Sequence, residues 1–220
     1  MKVLLFGASG MVGAGVLIEC IEDPRVESVL VIGRSPCGVQ HPKVRELLRK
    51  DFFDFTDAKP HLKGFDACFY SIGVTSLGKT EAEYTRLTYD VTIAAARPIC
   101  ELNPSLTFCF VSGEHTDEHG SRMWARVKGK TESELFRMPF KAYAFRPGYI
   151  QPMKGVRSKT AWYTIFYTLF GFLYPLTRRL LPARVTSTEN VGRAMIRVAT
   201  SGYSQRVLEN VDINAVATAR

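Results

Sequence analysis

The sequence predicts a doubly wound α/β fold, in which a mostly parallel sheet carries helices on both of its faces. Short apolar runs alternate with longer stretches of helical period from one end of the chain to the other. Those runs are continuous rather than alternating, as in strands that are buried on both faces. The 220 residues, 46% hydrophobic and 23% charged, have the size and composition of one globular domain. We therefore predict a single domain over residues 1–220, with a small helical, lid-like substrate region at about 149–188.

The order of the apolar runs and helical stretches gives the predicted elements. Strands are predicted at 3–6, 28–32, 44–49, 65–72, 106–111 and 142–145, with a last short strand at 207–213. Helices are predicted at 11–21, 80–101, 122–136 and 188–199, and an aromatic helix at 162–181 that Pro175 interrupts. Thr188 is the predicted cap of its helix, and Pro98 is expected to kink or stop the helix that contains it.

The net charge limits the kinds of partner that we expect, and the cysteines indicate the cellular compartment. The formal net charge is +8 and the pI is about 9.3, which suits an anionic partner such as a phosphorylated cofactor. The basic residues are scattered and no nucleic-acid recognition motif is present, so we expect no nucleic acid as partner. None of the five cysteines forms a C-x-x-C pair, which predicts reduced, buried thiols in a cytoplasmic protein.

The apolar N-terminus contains a glycine-rich motif at the end of the first predicted strand. The residues Gly7-Ala8-Ser9-Gly10-Met11-Val12-Gly13 read G-x-x-G-x-x-G, directly after a strand and at the start of a helix. The glycines and the acidic residues that follow argue against a signal peptide. In such a turn the backbone can approach a pyrophosphate, and the helix N-terminus offers N–H groups and a positive dipole end. We predict that Gly7, Ser9, Gly10, Met11, Val12 and Gly13 bind the diphosphate of a dinucleotide.

The end of the second strand bears on which dinucleotide is bound. A fold that selects NAD usually has Asp or Glu there, which binds the ribose 2′-hydroxyl. Here the strand ends at Gly33-Arg34, and a cation suits a 2′-phosphate, so NADP(H) is favoured over NAD(H). The alternative is that Arg34 is an ordinary surface arginine. Asp51 and Phe52, after the third strand, are expected to flank the adenine.

Four further motifs, together with the glycine turn, resemble the atypical branch of the short-chain dehydrogenase/reductase superfamily. They are Ser71-Ile72-Gly73 after the fourth strand, Val111-Ser112-Gly113 after the fifth, Val127-Lys128-Gly129 on the next helix, and Arg146-Pro147-Gly148 after the sixth. The resemblance runs from residue 1 to about 199. It looks closest to a bacterial epimerase/dehydratase-like subgroup that is similar to the mammalian Tat-interacting transcription cofactor. It implies a Rossmann-type fold and an oxidoreductase or epimerase with an unidentified small-molecule substrate.

The resemblance also assigns roles to residues of this chain. It implies that Lys128 holds the nicotinamide ribose, that Ser112 orients the substrate, and that Ser71, Ile72, Gly73, Arg146, Pro147 and Gly148 line the cofactor site. The family's catalytic tyrosine is replaced by Trp124, whose indole N–H donates a hydrogen bond but does not ionise near neutral pH. Three explanations stay open: His115, His119 or Tyr149 transfers the proton; the substrate needs little proton transfer; or the chain is a non-catalytic dinucleotide-binding regulator or scaffold.

Two remaining segments have more than one interpretation. His115 and His119 lie four residues apart among acids, which on a helix would suit zinc, but Gly120 and the preceding strand favour a polar loop over the active site, and no metal is predicted. Residues 161–181 are aromatic, with Gly171 and Pro175 inside the first sixteen. Its sixteen-residue aromatic part, 161–176, is shorter than the roughly twenty apolar residues that a membrane span needs. A lid over an apolar substrate or a part of the core, an oligomer contact and a membrane-surface segment stay open, the last least favoured.

Overall fold

A seven-stranded, wholly parallel sheet forms the centre of the protein. The computed structural model describes residues 1–156 and 183–219. The strands of the sheet are β1 (Lys2–Phe6), β2 (Ser28–Gly33), β3 (Val44–Leu48), β4 (Ala67–Tyr70), β5 (Thr107–Val111), β6 (Lys141–Arg146) and β9 (Val207–Glu209). Their spatial order is β3-β2-β1-β4-β5-β6-β9, and each neighbouring pair is parallel. The chain order therefore reverses between β1 and β4, as in a Rossmann fold, which confirms the predicted fold class.

Helices cover both faces of the sheet and create two separate hydrophobic cores. The helices are α1 (Met11–Glu22), α2 (Glu81–Thr85), α3 (Val91–Leu102), α4 (Met123–Arg137), α5 (Thr188–Ser201) and α6 (Asn210–Thr218). One core lies under α1, α5 and α6, and the other lies under α3, α4 and the connection after β3. Successive residues of a strand alternate between these cores: Val3 and Leu5 enter the first, and Leu4 and Phe6 the second. This explains why the strands are continuously apolar.

The predicted helix at 80–101 is divided into three parts. Thr80 begins it with a capping box, in which its side chain accepts from the Glu83 backbone N–H and the Glu83 carboxylate accepts in return. Residues Arg86–Asp90 then form a π-helical turn between α2 and α3. Pro98 lies inside α3, which continues to Leu102, so the expectation that this proline stops the helix was wrong. Proline removes one helical hydrogen bond, and burial of its neighbours in the core offsets that loss.

Three details of the C-terminal third differ from the sequence prediction. The N-cap of α5 is Ser187, whose Oγ accepts from the Asn190 backbone N–H, and Thr188 is the first helical residue. The predicted strand at 207–213 is the three-residue β9 followed directly by α6. A short parallel pair, β7 (Tyr149–Gln151) with β8 (Val185–Ser187), was not predicted. Residues 157–182 of the lid-like region predicted at 149–188 lie outside the described residues, and they include the aromatic segment at 161–181.

Helix α1 is held very closely against α5, and this fixes the helix that starts at the glycine turn. A Cβ at Gly15 would lie 2.4 Å from the Thr188 Cβ, and a Cβ at Gly192 would lie 2.7 Å from the Glu19 Cγ. The buried Glu19 carboxylate binds Lys154 Nζ at 2.6 Å and Arg193 Nε at 3.0 Å. Small residues and a paired carboxylate therefore position α1 on the sheet.

Candidate functional site

The candidate site lies at the carboxyl edge of the sheet, where all seven strands end. In a parallel sheet these ends meet at one edge, and ligands bind at the point where the strand order reverses. That point lies between β1, which continues into Gly7, and β4, which continues into Ser71. The sequence-predicted site residues follow the first six strands in chain order, so the fold places them along this edge.

The glycine turn is the most closely packed part of the site. Gly7 has a φ of +84°, and a Cβ there would lie 2.7 Å from the backbone carbonyl of Ser71. A Cβ at Gly13 would lie only 2.2 Å from the Gly7 oxygen. The Gly10 backbone N–H donates to that same oxygen at 2.9 Å. The G-x-x-G-x-x-G spacing is therefore required by contacts between the turn, α1 and the end of β4.

The start of α1 is arranged so that an anion could approach it. Gly10 is the N-cap with extended backbone, no side chain caps the helix, and no acidic residue occurs in its first turn. Ser9, Met11 and Val12 are partly exposed at this end. The first N–H groups of a helix have no partner within it, and the dipole end is positive there. These features fit a diphosphate.

A further observation at this edge fits a bound polar ligand. The Ser71 Oγ is shielded from solvent and has no hydrogen-bond partner among the described residues. Its neighbours Ile72 and Gly73 are partly and fully exposed, and a Cβ at Gly73 would meet nothing within 4 Å. A buried hydroxyl without a partner is costly, so an additional ligand atom here would lower the free energy of the folded state.

The ends of β2 and β3 carry one unpaired and one fully engaged arginine. Arg34 is exposed and makes no ion pair with a described residue. Arg49, which the sequence analysis did not single out, lies over the Phe55 ring at 4.7 Å and binds Asp57 at 2.9 Å. Its contacts order the loop after β3, so of these two arginines Arg34 is the one that remains available for a phosphate.

Asp51 and Phe52 are placed differently from each other in that loop. Asp51 is exposed, and its Oδ1 accepts from the Phe53 backbone N–H at 2.7 Å. Phe52 is buried and packs edge-on against Phe6 and Phe55. Any contact of this pair with an adenine would therefore come from Asp51 and the backbone rather than from the Phe52 ring.

Lys128 and Trp124 meet above the end of β5. A Cβ placed on Gly113 would lie 3.6 Å from the Trp124 Cζ3 and 3.9 Å from the Lys128 Nζ. The Lys128 Nζ donates to the Ser112 carbonyl oxygen at 2.8 Å. Burial lowers the pKa of Lys128 to about 8, although the carboxylate of Glu132 favours the charged form. The structure thus brings Lys128 and Trp124 together at the end of β5.

The hydroxyl of Ser112 faces the protein interior. Ser112 is buried, and its Oγ lies 3.0 Å from the Oγ1 of Thr116. The Thr116 hydroxyl donates its only proton to the Gly113 oxygen at 2.8 Å, so the Ser112 hydroxyl is the donor to Thr116. In this arrangement the Ser112 hydroxyl is engaged within the β5 loop.

The two histidines that follow β5 lie in different parts of their loop. His115 is in the turn immediately after the strand, with an exposed side chain 3.7 Å from Glu114. His119 follows Glu118, whose backbone lies 2.4 Å from a Cβ placed on Gly129, beyond Lys128 along α4. Glu118 also accepts a hydrogen bond from Ser133, a further turn along that helix. The loop therefore carries His119 away from the carboxyl edge, and only His115 stays there.

The turn after β6 is fixed by charged and polar partners. The guanidinium of Arg146, the last residue of β6, binds the buried Glu132 at 2.5 Å and Glu209 at 3.2 Å. These ion pairs fix the residue from which the turn starts. The Gly148 N–H donates to the side chain of Asn210 at 3.1 Å. The Tyr149 hydroxyl donates to the Gln151 side chain at 3.0 Å. Pro147 and Gly148 are left facing the end of β5.

The described part of the chain offers neither a metal cluster nor a membrane-spanning helix. Residues 1–156 and 183–219 contain no cluster of three or more His, Cys, Asp or Glu side chains that could hold a metal ion. Within the same ranges, no helix combines the length and hydrophobicity that crossing a bilayer requires. All five cysteines are free thiols.

Comparisons by sequence give distant relatives, and no family model matches the chain. Leucinostatins biosynthesis cluster protein T of Purpureocillium lilacinum is 26% identical over 141 residues, which are 63% of this chain and 52% of that protein. The mitochondrial protein FMP52 of Meyerozyma guilliermondii is 23% identical over 150 residues, which are 67% of this chain and 64% of that protein. The matches thus span between about half and two thirds of the length of these relatives.

Comparisons by structure give high similarity of fold at low sequence identity. Bordetella bronchiseptica WbmG, solved in complex with NAD, has a TM-score of 0.69 at 12% identity over 94% of this chain and 71% of its own. A short-chain dehydrogenase of Burkholderia cenocepacia, solved with NADP, has a TM-score of 0.66 at 13% identity over 94% and 87%. A UDP-N-acetylglucosamine 4-epimerase of Methanobrevibacter ruminantium has a TM-score of 0.67 at 16% identity over 92% and 74%. The chain therefore has the Rossmann α/β fold of short-chain dehydrogenases and epimerases.

Proposed function

We propose that this protein binds a nicotinamide dinucleotide and acts on a small molecule as a cytoplasmic oxidoreductase or epimerase-like enzyme of the atypical short-chain dehydrogenase/reductase type. The observation that carries the proposal is the glycine turn. Its backbone lies against the end of β4, and it opens a helix that has neither a capping side chain nor an acidic first turn. Such a turn is suited to a diphosphate. Lys128 is assigned to the nicotinamide ribose, and Pro147 and Gly148 to the nicotinamide.

NADP(H) is the proposed dinucleotide because of the side chain at the end of β2. Arg34 stands where an acidic residue would bind an unphosphorylated ribose, and no described carboxylate neutralises it. A charge-assisted contact with a 2′-phosphate contributes roughly 1.5–3 kcal/mol. The solved neighbours contain NAD in one case and NADP in another, so the preference rests on Arg34.

Calorimetry with the two reduced dinucleotides tests the proposal. We expect NADPH to bind more tightly than NADH, and Arg34→Gln to weaken NADPH binding about 10- to 100-fold without changing NADH binding. Arg45→Gln is the matched control, because Arg45 is an exposed arginine in the middle of the adjacent strand β3. The absence of heat and of a thermal shift with all four nicotinamide coenzymes would contradict dinucleotide binding itself.

A second candidate function is that of a non-catalytic, dinucleotide-binding regulator. The resemblance to the subgroup that is similar to the Tat-interacting transcription cofactor is compatible with such a role. Two features favour it: Trp124 stands at the position that the family resemblance gives to a proton-transferring tyrosine, and the Ser112 hydroxyl is engaged with Thr116. Oxidation of NADPH in the presence of a panel of carbonyl compounds, polar and apolar, separates the two candidates. Turnover of any member supports the enzyme, whereas tight cofactor binding without turnover supports the regulator.

A further inference from the structure

The turn that follows β5 contains an exposed histidine in an unusual backbone conformation. The Gly113 oxygen accepts from the Thr116 N–H at 3.2 Å and from its hydroxyl at 2.8 Å, which closes a four-residue turn around Glu114 and His115. His115 has a φ of +63°, in the left-handed region that glycine and asparagine adopt most easily. A non-glycine residue in this region costs free energy and is frequent at functional sites.

The Glu114 carboxylate lies between this histidine and the turn after β6. Its Oε1 is 3.7 Å from the His115 Nε2, and its Oε2 would lie 3.1 Å from a Cβ on Gly148. The Glu114 backbone N–H donates to the Pro147 oxygen at 3.1 Å, which joins the two loops. At 3.7 Å the carboxylate acts on the imidazole by charge rather than by a hydrogen bond.

The other groups at this edge are less suited to moving a proton. Trp124 does not ionise, and the Ser112 hydroxyl donates to Thr116 within the interior. The Tyr149 hydroxyl donates to Gln151, and His119 lies down the side of α4. The His115 imidazole is about two-thirds exposed, so a substrate at the carboxyl edge could reach it.

We propose that His115 is the proton-transfer residue of this site and that Glu114 is its positioning residue. The proposal rests on the function proposed above, in which a bound dinucleotide supplies the hydride to a carbonyl carbon or accepts it back. As the carbonyl becomes an alcohol, the imidazolium of His115 gives its proton to the carbonyl oxygen, and the N–H electron pair stays on the ring nitrogen. Water then returns a proton to the ring. Glu114, whose carboxylate lies 3.7 Å from the ring and whose backbone N–H is bonded to the turn after β6, positions the imidazole.

Proton NMR of protein labelled with ¹³C in histidine tests this assignment without a known substrate. The chain has only four histidines, so His→Gln variants assign every ring resonance. We expect the His115 ring signal to move when NADP⁺ is added and to take a different position with NADPH, because the nicotinamide loses its positive charge. His119, four residues away in the same loop, is the matched control and should not respond. In Glu114→Gln the difference between the two cofactor states should shrink, and Glu114→Asp should partly retain it.

The outcomes separate this assignment from cofactor binding. Heat of dinucleotide binding with a silent His115 signal, or with an equal response of His119, would overturn the assignment and leave the proposed function standing. No heat with either cofactor would overturn both. For any carbonyl compound that supports turnover, His115→Asn should lower kcat by about 10²- to 10⁴-fold at an unchanged cofactor affinity. A Glu114→Gln variant that lost stability but kept the redox-dependent shift would show that Glu114 is only structural.

Discussion

The two halves of the candidate site are built from different parts of the chain. The cofactor half, around Gly7 and Gly13, is made of backbone, and its geometry follows from the absence of side chains. The half around Ser112, Trp124 and His115 is made of side chains whose directions depend on local partners such as Thr116 and Glu114. A turn built from backbone is therefore constrained by close packing, whereas the side chains beside it are free to differ in chemistry.

The largest effect is expected when a side chain is added to the glycine turn of the cofactor half. In Gly13→Ala the added Cβ would lie 2.2 Å from the Gly7 oxygen, so α1 or the turn must move. We expect a loss of about 3 kcal/mol in the free energy of unfolding and loss of dinucleotide binding. Denaturant unfolding and calorimetry measure the two effects. Gly73→Ala at the same edge is the control and should change stability little, because its Cβ meets no atom within 4 Å.

Lys128 lies between the two halves of the site. Its ionisation is expected to produce the next largest change in the free energy of unfolding, as a function of pH. Its folded-state pKa of about 8 is below the ordinary value of 10.5, so between these pH values the unfolded chain binds a proton that the folded chain lacks. The penalty for burying the ammonium is complete below pH 8 and disappears as the pH rises to 10.5. Wild type should therefore gain on the order of 2 kcal/mol relative to Lys128→Met across this interval.

Guanidinium chloride unfolding of both proteins at several pH values measures that gain, since other titrating groups cancel in the difference. A difference that stays constant between pH 7 and pH 10.5 would show that Lys128 ionises normally. Dinucleotide affinity should fall above pH 8 in wild type, because the ribose-binding ammonium loses its charge.

The Trp124→Tyr variant tests whether the site lacks a proton donor. If the wild-type site had no proton donor, a restored tyrosine beside Lys128 would raise turnover by about 10²- to 10⁴-fold. Because we assign the transfer to His115, we expect a gain below about tenfold in NADPH oxidation with a carbonyl substrate. A gain of a hundredfold or more would contradict the assignment, with Trp124→Phe as the variant that changes the ring but adds no hydroxyl.

The smallest effect concerns the backbone at His115. His115→Gly should raise the free energy of unfolding by about 0.5 kcal/mol, since relief of the left-handed conformation is partly offset by the entropy of glycine in the unfolded chain. His119→Gly is the control and should lower stability, because His119 does not have a positive φ. Thermal or chemical unfolding measures both. Destabilisation by His115→Gly would show that the imidazole is held for packing.

The fold could be predicted because it depends on patterns that are local in sequence. The apolar runs, the helices between them and the G-x-x-G-x-x-G turn lie in short windows, and the seven strands of the sheet lie at the predicted runs. The neighbouring structures confirm the Rossmann-like fold. The cap at Ser187 and the short strand before α6 were misjudged by a few residues, because element ends depend on tertiary contacts.

The side-chain half was less predictable because its contacts join residues far apart in the chain. Glu114 was not singled out, and its importance comes from Gly148, which β6 brings beside it. Arg49 was not singled out either, yet it orders the loop that carries Asp51. Arg146 matched a family motif, whereas its guanidinium is taken up by Glu132 and Glu209. No spacing rule would have revealed these partners.

The packing of Gly7 against Ser71 also bears on how the chain is made. Gly7 meets its backbone neighbour Ser71 only after sixty-four further residues have been synthesised, and α1 meets α5 later still. Such non-local pairing delays folding until distant segments are available. The phosphate-binding edge should therefore mature late in translation, and nascent chains that end before Thr188 should expose the apolar face of α1 to chaperones.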